Sequence, residues 1–400
     1  MFSFPVAYLN SNNGSAILAF GEGPMLSLIS VDCIEQIDDF IEAHSKAYVF
    51  MALSYDLKND LEELESRNTD RMHFPKVILW SPKYVIRVED ENMRYLFGTP
   101  SVESKTFIED FFLSAKKTSF PSLNCNFTPR TLKEKYLKHV NELKHEIKQG
   151  NIYEVNYCQE YFAENVTIDN PLDVYNKLNK ITKAPYSSLF SIEEFTIFSG
   201  SPESYIRKEK NHLVSSPIKG TRKRGESKDE DERLKRELKE DKKERAENIM
   251  IVDLVRNDFS KIAKKNSVHV DELLEIYSFE TVHQMISSIS CDLDEEIKFS
   301  QIIEATFPMG SMTGAPKISA MELIEKHEDF KRGIYSGSVG YRAPNGDLDF
   351  NVIIRSLVYN SKENYLSCAV GGAITIDSSA ESEYEECLVK VKVILDKMNE

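Results

Sequence analysis

The chain has 400 residues, of which 41% are hydrophobic and 29% are charged, and its formal net charge at pH 7 is −15. This acidic balance argues against a broad basic surface for nucleic acid or an anionic membrane, and no apolar run approaches the ~18 residues of a membrane span. The composition is that of an ordinary globular protein, long enough for roughly two to three domains or one large α/β domain.

The cysteine pattern and the first residues predict a cytoplasmic protein. Six cysteines are scattered along the chain without a C-x-x-C pair, which is typical of reduced intracellular thiols and argues against a structural zinc site. The opening residues MFSFPVAYLNSNN lack a basic segment followed by an apolar one. We therefore expect no signal peptide.

The first region, residues 1–120, is predicted to contain a helix and several strands. Apolar residues recur at helical spacing in 31–45, whereas 47–55 and 76–88 are strand-like. A polar connector with two prolines then leads into a second region, residues 121–400. We expect the two regions to form one structural domain.

The second region opens with a long helix and continues with many strands. The spacing predicts a helix over 130–150 that stops at Gly150, and alternation predicts a strand over 152–164. The last third contains a hairpin signal at NGDLDF and a final helix that is predicted to begin near Ser378 or Ser379, where Ser378 and Glu381 fit a capping box. Long helices among antiparallel-looking hairpins favour an α+β fold.

A pair of glutamates three residues apart occurs twice on predicted helices. Glu244 precedes Glu247, and Glu383 precedes Glu386, with Lys390 one turn after the second pair. Residues at this spacing share one helical face, and two facing carboxylate pairs would supply the oxygen ligands that Mg²⁺ prefers. Because the chain has 65 acidic residues, such pairs also arise by chance, and a solvated helix face is the competing interpretation.

Other local motifs carry little chemistry by themselves. GSMTGAPK fails the phosphate-loop pattern, because three residues separate its glycines and Pro316 precedes Lys317. His283 stands in an apolar setting, where a histidine is more often a satisfied core residue than a catalytic one. The residues alone thus indicate a large cytosolic α+β protein with a candidate Mg²⁺ site.

Seven segments, taken in order and spacing, resemble the chorismate-utilising enzymes, which form anthranilate, aminodeoxychorismate, isochorismate or salicylate. The resemblance is strong from about residue 125 to the last residue. It implies the fold of anthranilate synthase component I: a complex α/β arrangement of two antiparallel β-sheets packed as a sandwich, with helices outside. The segments are 199–207, 215–225, 244–258, 307–324, 332–341, 349–356 and 371–390.

The resemblance also implies which residues hold Mg²⁺ and the substrate chorismate. Glu247 and Glu386 match the metal ligands, and Glu244 and Glu383 match supporting ligands. Glu203 matches the general acid that protonates the departing C4 hydroxyl, a role that requires a neutral carboxyl with a raised pKa. The substrate-binding matches are the side chains of Tyr335, Arg355 and Lys390 and the backbone of Gly220, Thr221, Gly371, Gly372 and Ala373.

Three further positions are assigned by the resemblance. His283 matches the histidine beside the reacting ring. The water-adding members carry a lysine base where this chain has Glu154, which disfavours isochorismate and salicylate synthesis. Lys219, in the segment PIKGT, resembles the lysine of the aminodeoxychorismate-forming branch. In that branch its amine attacks C2 of chorismate, and ammonia then attacks C4 and expels the lysine.

Lys219 admits two interpretations. A desolvated lysine near a metal ion would be partly neutral and nucleophilic, whereas a cation that only binds a carboxylate is the competing role. The expected pathway is p-aminobenzoate and folate biosynthesis, and the alternatives are anthranilate formation and a non-catalytic chorismate-binding subunit. The last is disfavoured because Glu203, Glu247, Glu386 and Lys390 are all present.

The resemblance implies two protein partners. No segment looks like a glutamine amidotransferase, so we expect a separate glutaminase subunit to supply ammonia, and a separate aminodeoxychorismate lyase to act downstream. The family's N-terminal tryptophan-binding motif is not recognised, and 23–30 stands roughly in its place. The segment 184–190 resembles the second half of that site, which leaves a bound amino acid open.

Overall fold

The computed structural model describes residues 2–29, 33–90, 92–115, 117, 119–280 and 282–400. Over these ranges the chain forms 21 strands and ten α-helices. The helices are α1 (Cys33–Ala43), α2 (Lys58–Leu61), α3 (Val102–Ala115), α4 (Lys133–Gln149), α5 (Pro171–Thr182), α6 (Lys228–Glu240), α7 (Lys242–Ser260), α8 (Phe299–Thr306), α9 (Lys317–His327) and α10 (Ala380–Asn399).

The strands fall into a first group before α6 and a second group after α7. The first group is β1 (Val6–Asn10), β2 (Ser15–Phe20), β3 (Met25–Leu28), β4 (Val49–Leu53), β5 (Val77–Trp80), β6 (Tyr84–Glu89), β7 (Asn92–Phe97), β8 (Thr128–Pro129), β9 (Glu154–Ala163), β10 (Tyr186–Ile192), β11 (Phe195–Ser201), β12 (Ser204–Glu209), β13 (His212–Ser215) and β14 (Ile218–Lys223). The second is β15 (His269–Ser278), β16 (Val282–Asp292), β17 (Gly314–Ala315), β18 (Ser338–Arg342), β19 (Leu348–Asn351), β20 (Ser356–Asn360) and β21 (Tyr365–Ile374).

These strands form two antiparallel sheets that pack face to face. One has 11 strands in the order β17-β9-β21-β20-β11-β10-β1-β2-β6-β7, with β8 beside β9. The other has 10 strands in the order β14-β16-β13-β12-β19-β18-β4-β5-β3, with β15 beside β16. Side chains such as Ala19, Ile197, Ile78 and Trp80 form the core between the sheets.

Helices cover the outer faces of both sheets. Residues of α3, α4, α5 and α10 share one hydrophobic cluster with the 11-stranded sheet, and residues of α1, α7 and α8 share another with the 10-stranded sheet. The predicted α+β sandwich with outer helices is therefore confirmed. None of the helices in the described part of the chain combines the length and apolarity that crossing a membrane requires.

The two predicted regions share both sheets. In the 11-stranded sheet β1 pairs with β10, and in the 10-stranded sheet β4 pairs with β18. The chain changes sheets between β5 and β6, within the stretch that the sequence predicts as strand-like. The boundary near residue 120 stays a prediction.

Several local predictions match the structure and one does not. The helix α4 ends at Gly150, whose φ of 82° is the left-handed conformation that glycine adopts without strain. The predicted hairpin joins β18 to β19. The capping box is wrong, because the Ser378 hydroxyl accepts a hydrogen bond from the Thr375 N–H at 3.0 Å while α10 begins after Ser379. For α1, predicted over 31–45, positions 31 and 32 lie outside the described residues.

Candidate active site

A cavity of about 470 Å³ lies where α7 and α10 meet strands of both sheets. Concave sites of this size that combine apolar walls with a few polar groups are typical of small-ligand binding. All but two of the predicted site residues line it. The lining members of that set are Glu203, Lys219, Gly220, Thr221, Glu244, Glu247, Tyr335, Arg355, Gly371, Gly372, Ala373, Glu386 and Lys390.

Lys219 is delivered to this cavity by a bulge in β14. The register of β14 against β16 shifts between Ile218 and Thr221, and Gly220 adopts a φ of 89°. A bulge bends the strand locally, and glycine takes this conformation readily. As a result Lys219, Gly220 and Thr221 all contribute to the cavity wall.

The Lys219 ammonium lies between two buried carboxylates. Its Nζ is 2.8 Å from Oε1 of Glu154 and 4.0 Å from Oε2 of Glu247, and the lysine side chain is 11% exposed. Burial by itself lowers the pKa of Lys219, but the charges of Glu154 and Glu247 outweigh it and raise that pKa above its usual value. Without a metal ion these charges favour the ammonium form of Lys219, and the partly neutral amine expected beside a bound metal ion stays a prediction.

Glu154 is the contact that sequence reasoning missed. It begins β9, is 1% exposed, and its second carboxylate oxygen, Oε2, is buried without a hydrogen-bond partner. The sequence shows only that no lysine stands at this position. Its pairing with Lys219, 65 residues away, depends on how β9 and β14 approach from different sheets.

On α7 the glutamate pair has cations only at 3.7–4.0 Å, without a close ion pair. Glu247 is buried, and its Oε1 has no hydrogen-bond partner. Burial raises the pKa of Glu247 to about 7, although the Lys219 ammonium opposes this shift. Burial also raises the pKa of Glu244, against the lowering effect of Arg222. A buried carboxylate oxygen without a partner is the kind of group that a bound cation satisfies.

The pair on α10 has closer cations, one from α10 and one from α7. Glu386 is 2.7 Å from the Lys390 ammonium, and Glu383 accepts a hydrogen bond from Lys243 at 3.1 Å. Burial favours a higher pKa for Glu386, but Lys390 reverses this and lowers the pKa overall. Lys243 is also 3.8 Å from Glu247, so a positive charge already bridges α7 and α10.

The four glutamates offer carboxylate oxygens as ligands for a metal ion. Glu244, Glu247 and Glu386 line the cavity, whereas Glu383 does not and lies beside Gly372. All four residues offer hard oxygen ligands, and Oε1 of Glu247 has no hydrogen-bond partner. The Lys243 ammonium, which comes from α7, lies 3.8 Å from that oxygen. Such a donor set fits Mg²⁺.

Glu203 has the environment of a proton donor. It follows β11, is 5% exposed, and accepts a hydrogen bond from the Ser311 hydroxyl at 2.7 Å. Burial raises the pKa of Glu203 to about 7, while the Ser311 hydrogen bond opposes the rise. Ser311 belongs to the GSMTGAPK segment, which fails as a phosphate loop but forms a 3-10 turn against Glu203.

His283 does not line the cavity, contrary to the expectation. Its Nε2 is 2.9 Å from Asp231 and its Nδ1 is 2.8 Å from the Ser278 hydroxyl, so it links β16 to α6. Successive side chains of a strand point to opposite faces, and the next residue, Gln284, lines the cavity instead. The residue paired with Gln284 on the neighbouring strand is Thr221, which also lines the cavity.

Other side chains that line the same cavity suit an anion. The Arg355 side chain has no ion pair or hydrogen bond among the described residues, and Tyr335 is buried beside it in the wall. Lys390 donates a hydrogen bond to the Gly371 carbonyl at 3.1 Å. A Cβ at Gly371 would collide with the Cys158 sulfur, so glycine is the residue that fits at this position of β21.

A second cavity, of about 370 Å³, lies between the sheets near the first strand. Residues 9–11 line it together with 185–187 of the segment that resembles half of an amino-acid site. Within the stretch that stands in the place of the unrecognised motif, Met25–Leu28 form β3 at the edge of the other sheet.

Comparisons with known proteins agree with this geometry. The sequence model of the family described as chorismate binding enzyme matches residues 5–396. Aminodeoxychorismate synthase component 1 of Escherichia coli K12 is 35% identical over 277 residues, which are 69% of this chain and 60% of that protein. Anthranilate synthase component 1 of Aquifex aeolicus VF5 is 31% identical over 360 residues, 86% of this chain and 72% of that protein.

A solved structure shares the whole architecture. The crystal structure of anthranilate synthase component I from Streptococcus pneumoniae TIGR4 matches with a TM-score of 0.81 and 25% sequence identity, over 95% of this chain and 92% of that chain. Because the family match covers nearly the entire chain, and the carboxylate-lined cavity lies within it, the protein belongs to the chorismate binding enzymes.

Proposed function

We propose that the chain is component I of an aminodeoxychorismate synthase. It would aminate chorismate at C4 with ammonia, in a Mg²⁺-dependent reaction, to give 4-amino-4-deoxychorismate for p-aminobenzoate and folate biosynthesis. The observation that carries the proposal is the buried Lys219 in the cavity, 2.8 Å from Glu154. Similarity to relatives named aminodeoxychorismate synthase supports it.

The proposed reaction needs two proton transfers by residues of this chain, followed by a displacement by ammonia. Glu203, with a pKa of about 7, donates a proton to the C4 hydroxyl as its C–O bond breaks. Lys219 loses a proton to Glu154 and its amine forms a bond to C2, with the ring double bonds shifting toward C4. Ammonia then bonds to C4, the double bonds shift back, and the C2–N bond breaks to release the Lys219 amine.

The remaining residues hold and orient the substrate. Glu247 and Glu386 would hold Mg²⁺, with Glu244 and Glu383 in support, and the bound ion supplies positive charge for the C1 carboxylate. Arg355, whose side chain is unpaired among the described residues, would bind the second carboxylate with Tyr335 and Lys390. The backbone of Gly220, Thr221, Gly371, Gly372 and Ala373 would complete the wall around the anion.

The proposal includes partners and a location. Ammonia would come from a separate glutamine amidotransferase subunit, consistent with relatives that are named as component 1. Aminodeoxychorismate lyase would act on the product, and the reaction would take place in the cytoplasm.

Product identification tests the proposal. Purified protein with chorismate, Mg²⁺ and ammonium is expected to yield p-aminobenzoate after the lyase is added, and none when EDTA or ammonium-free buffer is used. Fluorescent anthranilate formed without lyase would overturn the branch in favour of an anthranilate synthase, a candidate that the similarity to the Aquifex protein supports. Chorismate that stays intact in every arm would identify a non-catalytic subunit.

A further inference from the structure

A cluster of two histidines and a glutamate lies outside the catalytic cavity, where α4 meets the end of α9. One ligand atom each of His139, Glu142 and His327 lies within 4.8 Å of the other two. The shortest measured separation, from His327 Nδ1 to a Glu142 carboxylate oxygen, is 3.4 Å. Ligands of tetrahedral Zn²⁺ at bond lengths of about 2.1 Å are about 3.4 Å apart, so small side-chain movements would complete the geometry.

A tyrosine fixes the orientation of the first histidine. The Tyr157 hydroxyl is 2.9 Å from Nδ1 of His139 and 3.4 Å from the backbone carbonyl of His327. Since the carbonyl can only accept, the hydroxyl donates to it and accepts from the His139 Nδ1–H. This leaves the His139 Nε2 lone pair available, and metal-ligating histidines are commonly held in this way by a hydrogen bond from their other nitrogen.

The second histidine is buried and incompletely satisfied. His327 is 4% exposed; its Nδ1 is the nitrogen that faces Glu142, and its other nitrogen, Nε2, has no hydrogen-bond partner. Burial lowers the pKa of both histidines, that of His327 to about 4. The neutral imidazole is the form that binds a metal ion.

The cluster is accessible from solvent. A surface cavity of about 490 Å³ is lined by Glu142 and His327 together with His145. The lysines at its rim, Lys138 and Lys326, have side chains that are 70% and 63% exposed. They can turn into solvent when a cation enters.

We propose that His139, Glu142 and His327 form a Zn²⁺ site with water in the fourth position. Two imidazoles and one carboxylate suit Zn²⁺, whereas the glutamates of the catalytic cavity offer only oxygen and suit Mg²⁺. The site would tie α4 to α9, and it holds whether or not the proposed aminodeoxychorismate function is correct.

The test uses Co²⁺ as a spectroscopic substitute for Zn²⁺ on the full-length chain. Protein stripped with EDTA is saturated with Mg²⁺, which occupies the carboxylate cavity, and is then titrated with Co²⁺. We expect one equivalent to give the visible d–d bands of a low-coordinate, histidine-bound ion, and Zn²⁺ to displace it. His139→Gln and Glu142→Gln should each weaken binding by about tenfold or more.

A matched control makes the result specific. His145→Gln alters another histidine of the same helix and cavity that does not belong to the cluster, and it should bind Co²⁺ like the unmodified protein. His139 is partly exposed, so His139→Gln should keep the thermal unfolding midpoint, which circular dichroism checks. The absence of d–d bands in the unmodified protein, or equal binding by His139→Gln and His145→Gln, would overturn the proposal.

Discussion

The α7 and α10 walls of the catalytic cavity carry the same pattern of two glutamates three residues apart, yet their charges differ. On α7, Glu247 has an unpartnered oxygen and a pKa raised to about 7 by burial. On α10, Glu386 lies 2.7 Å from Lys390, and its pKa is lowered. The spacing fixes which helical face a carboxylate occupies, but residues from neighbouring turns and strands fix its protonation.

This difference divides the cavity into an α7 side, where a buried carboxylate oxygen has no hydrogen-bond partner, and an α10 side, where Glu386 forms a close ion pair. The α7 side also contains Lys219, whose ammonium form two carboxylates favour. Adding positive charge there, from Mg²⁺, would compete with Lys219 for Glu247. We therefore expect substitutions on the α7 side to have the larger effects.

The largest effect is expected from Lys219→Ala. Without its amine, formation of 4-amino-4-deoxychorismate should fall by about 10³-fold or more, which corresponds to about 4 kcal/mol of transition-state stabilisation. Lyase-coupled p-aminobenzoate production measures the loss. Lys219→Arg is the matched control, because it keeps the charge but supplies no nucleophilic amine. An arginine variant that retained most of the activity would contradict covalent participation and favour a purely electrostatic role.

The second prediction concerns Glu154→Gln, which changes the ion-pair partner of Lys219. The substitution removes a charge that raises the pKa of Lys219 and also removes the proposed proton acceptor. Activity at neutral pH should fall and then recover as the pH rises, because hydroxide and buffer can take the proton instead. A uniform loss at every pH, measured by chorismate depletion, would exclude Glu154 as the acceptor.

A smaller effect is expected from Glu247→Gln. Removing the carboxylate whose Oε1 has no hydrogen-bond partner should raise the Mg²⁺ concentration needed for half-maximal activity by about 10–100-fold. The control is Glu385→Gln on α10, an exposed glutamate whose nearest cation is Lys133 at 3.3 Å. If both variants required the same Mg²⁺ concentration as the unmodified protein, the assignment of the metal to the α7 side would be wrong.

The sequence predicts much of this architecture because much of it is local. The end of α4 at Gly150, the hairpin between β18 and β19, and the shared face of each glutamate pair all depend on residues a few positions apart. The choice between His283 and Gln284 depends instead on which face of β16 meets the cavity. A shift by one residue along a strand exchanges its two faces. The residue matched by the resemblance, His283, is the neighbour that does not line the cavity.

Contacts between elements distant in sequence are the other part that local patterns do not contain. The ion pair of Lys219 with Glu154 joins strands of different sheets, and it favours the ammonium form of the lysine. The sequence predicts Thr221 at the site, and Gln284 pairs with Thr221 across the sheet. Knowledge of that register is what would place Gln284 at the site. That register involves a bulge, which the sequence marks only by Gly220.

The smallest effect we predict is a shift in pH dependence at Glu203. A general acid acts while protonated, so with a pKa of about 7 its contribution to kcat/KM falls as the pH rises above about 7. The Ser311 hydroxyl stabilises the ionised carboxylate, and Ser311→Ala should therefore raise the pKa of Glu203 and move this limb to higher pH. Glu203→Gln, which has no acidic proton to donate, should remove the limb.

The direction of the shift separates this role from a structural one. Loss of packing at Ser311 would lower kcat at all pH values without moving the limb. Stability offers an independent check, because burial raises the folded-state pKa of Glu203 above its ordinary value of 4.5. Its contribution to folding is then complete below about pH 4.5 and is lost as the pH rises toward 7. Glu203→Gln should flatten that part of the thermal unfolding profile, and an unchanged profile would contradict a raised pKa at this position.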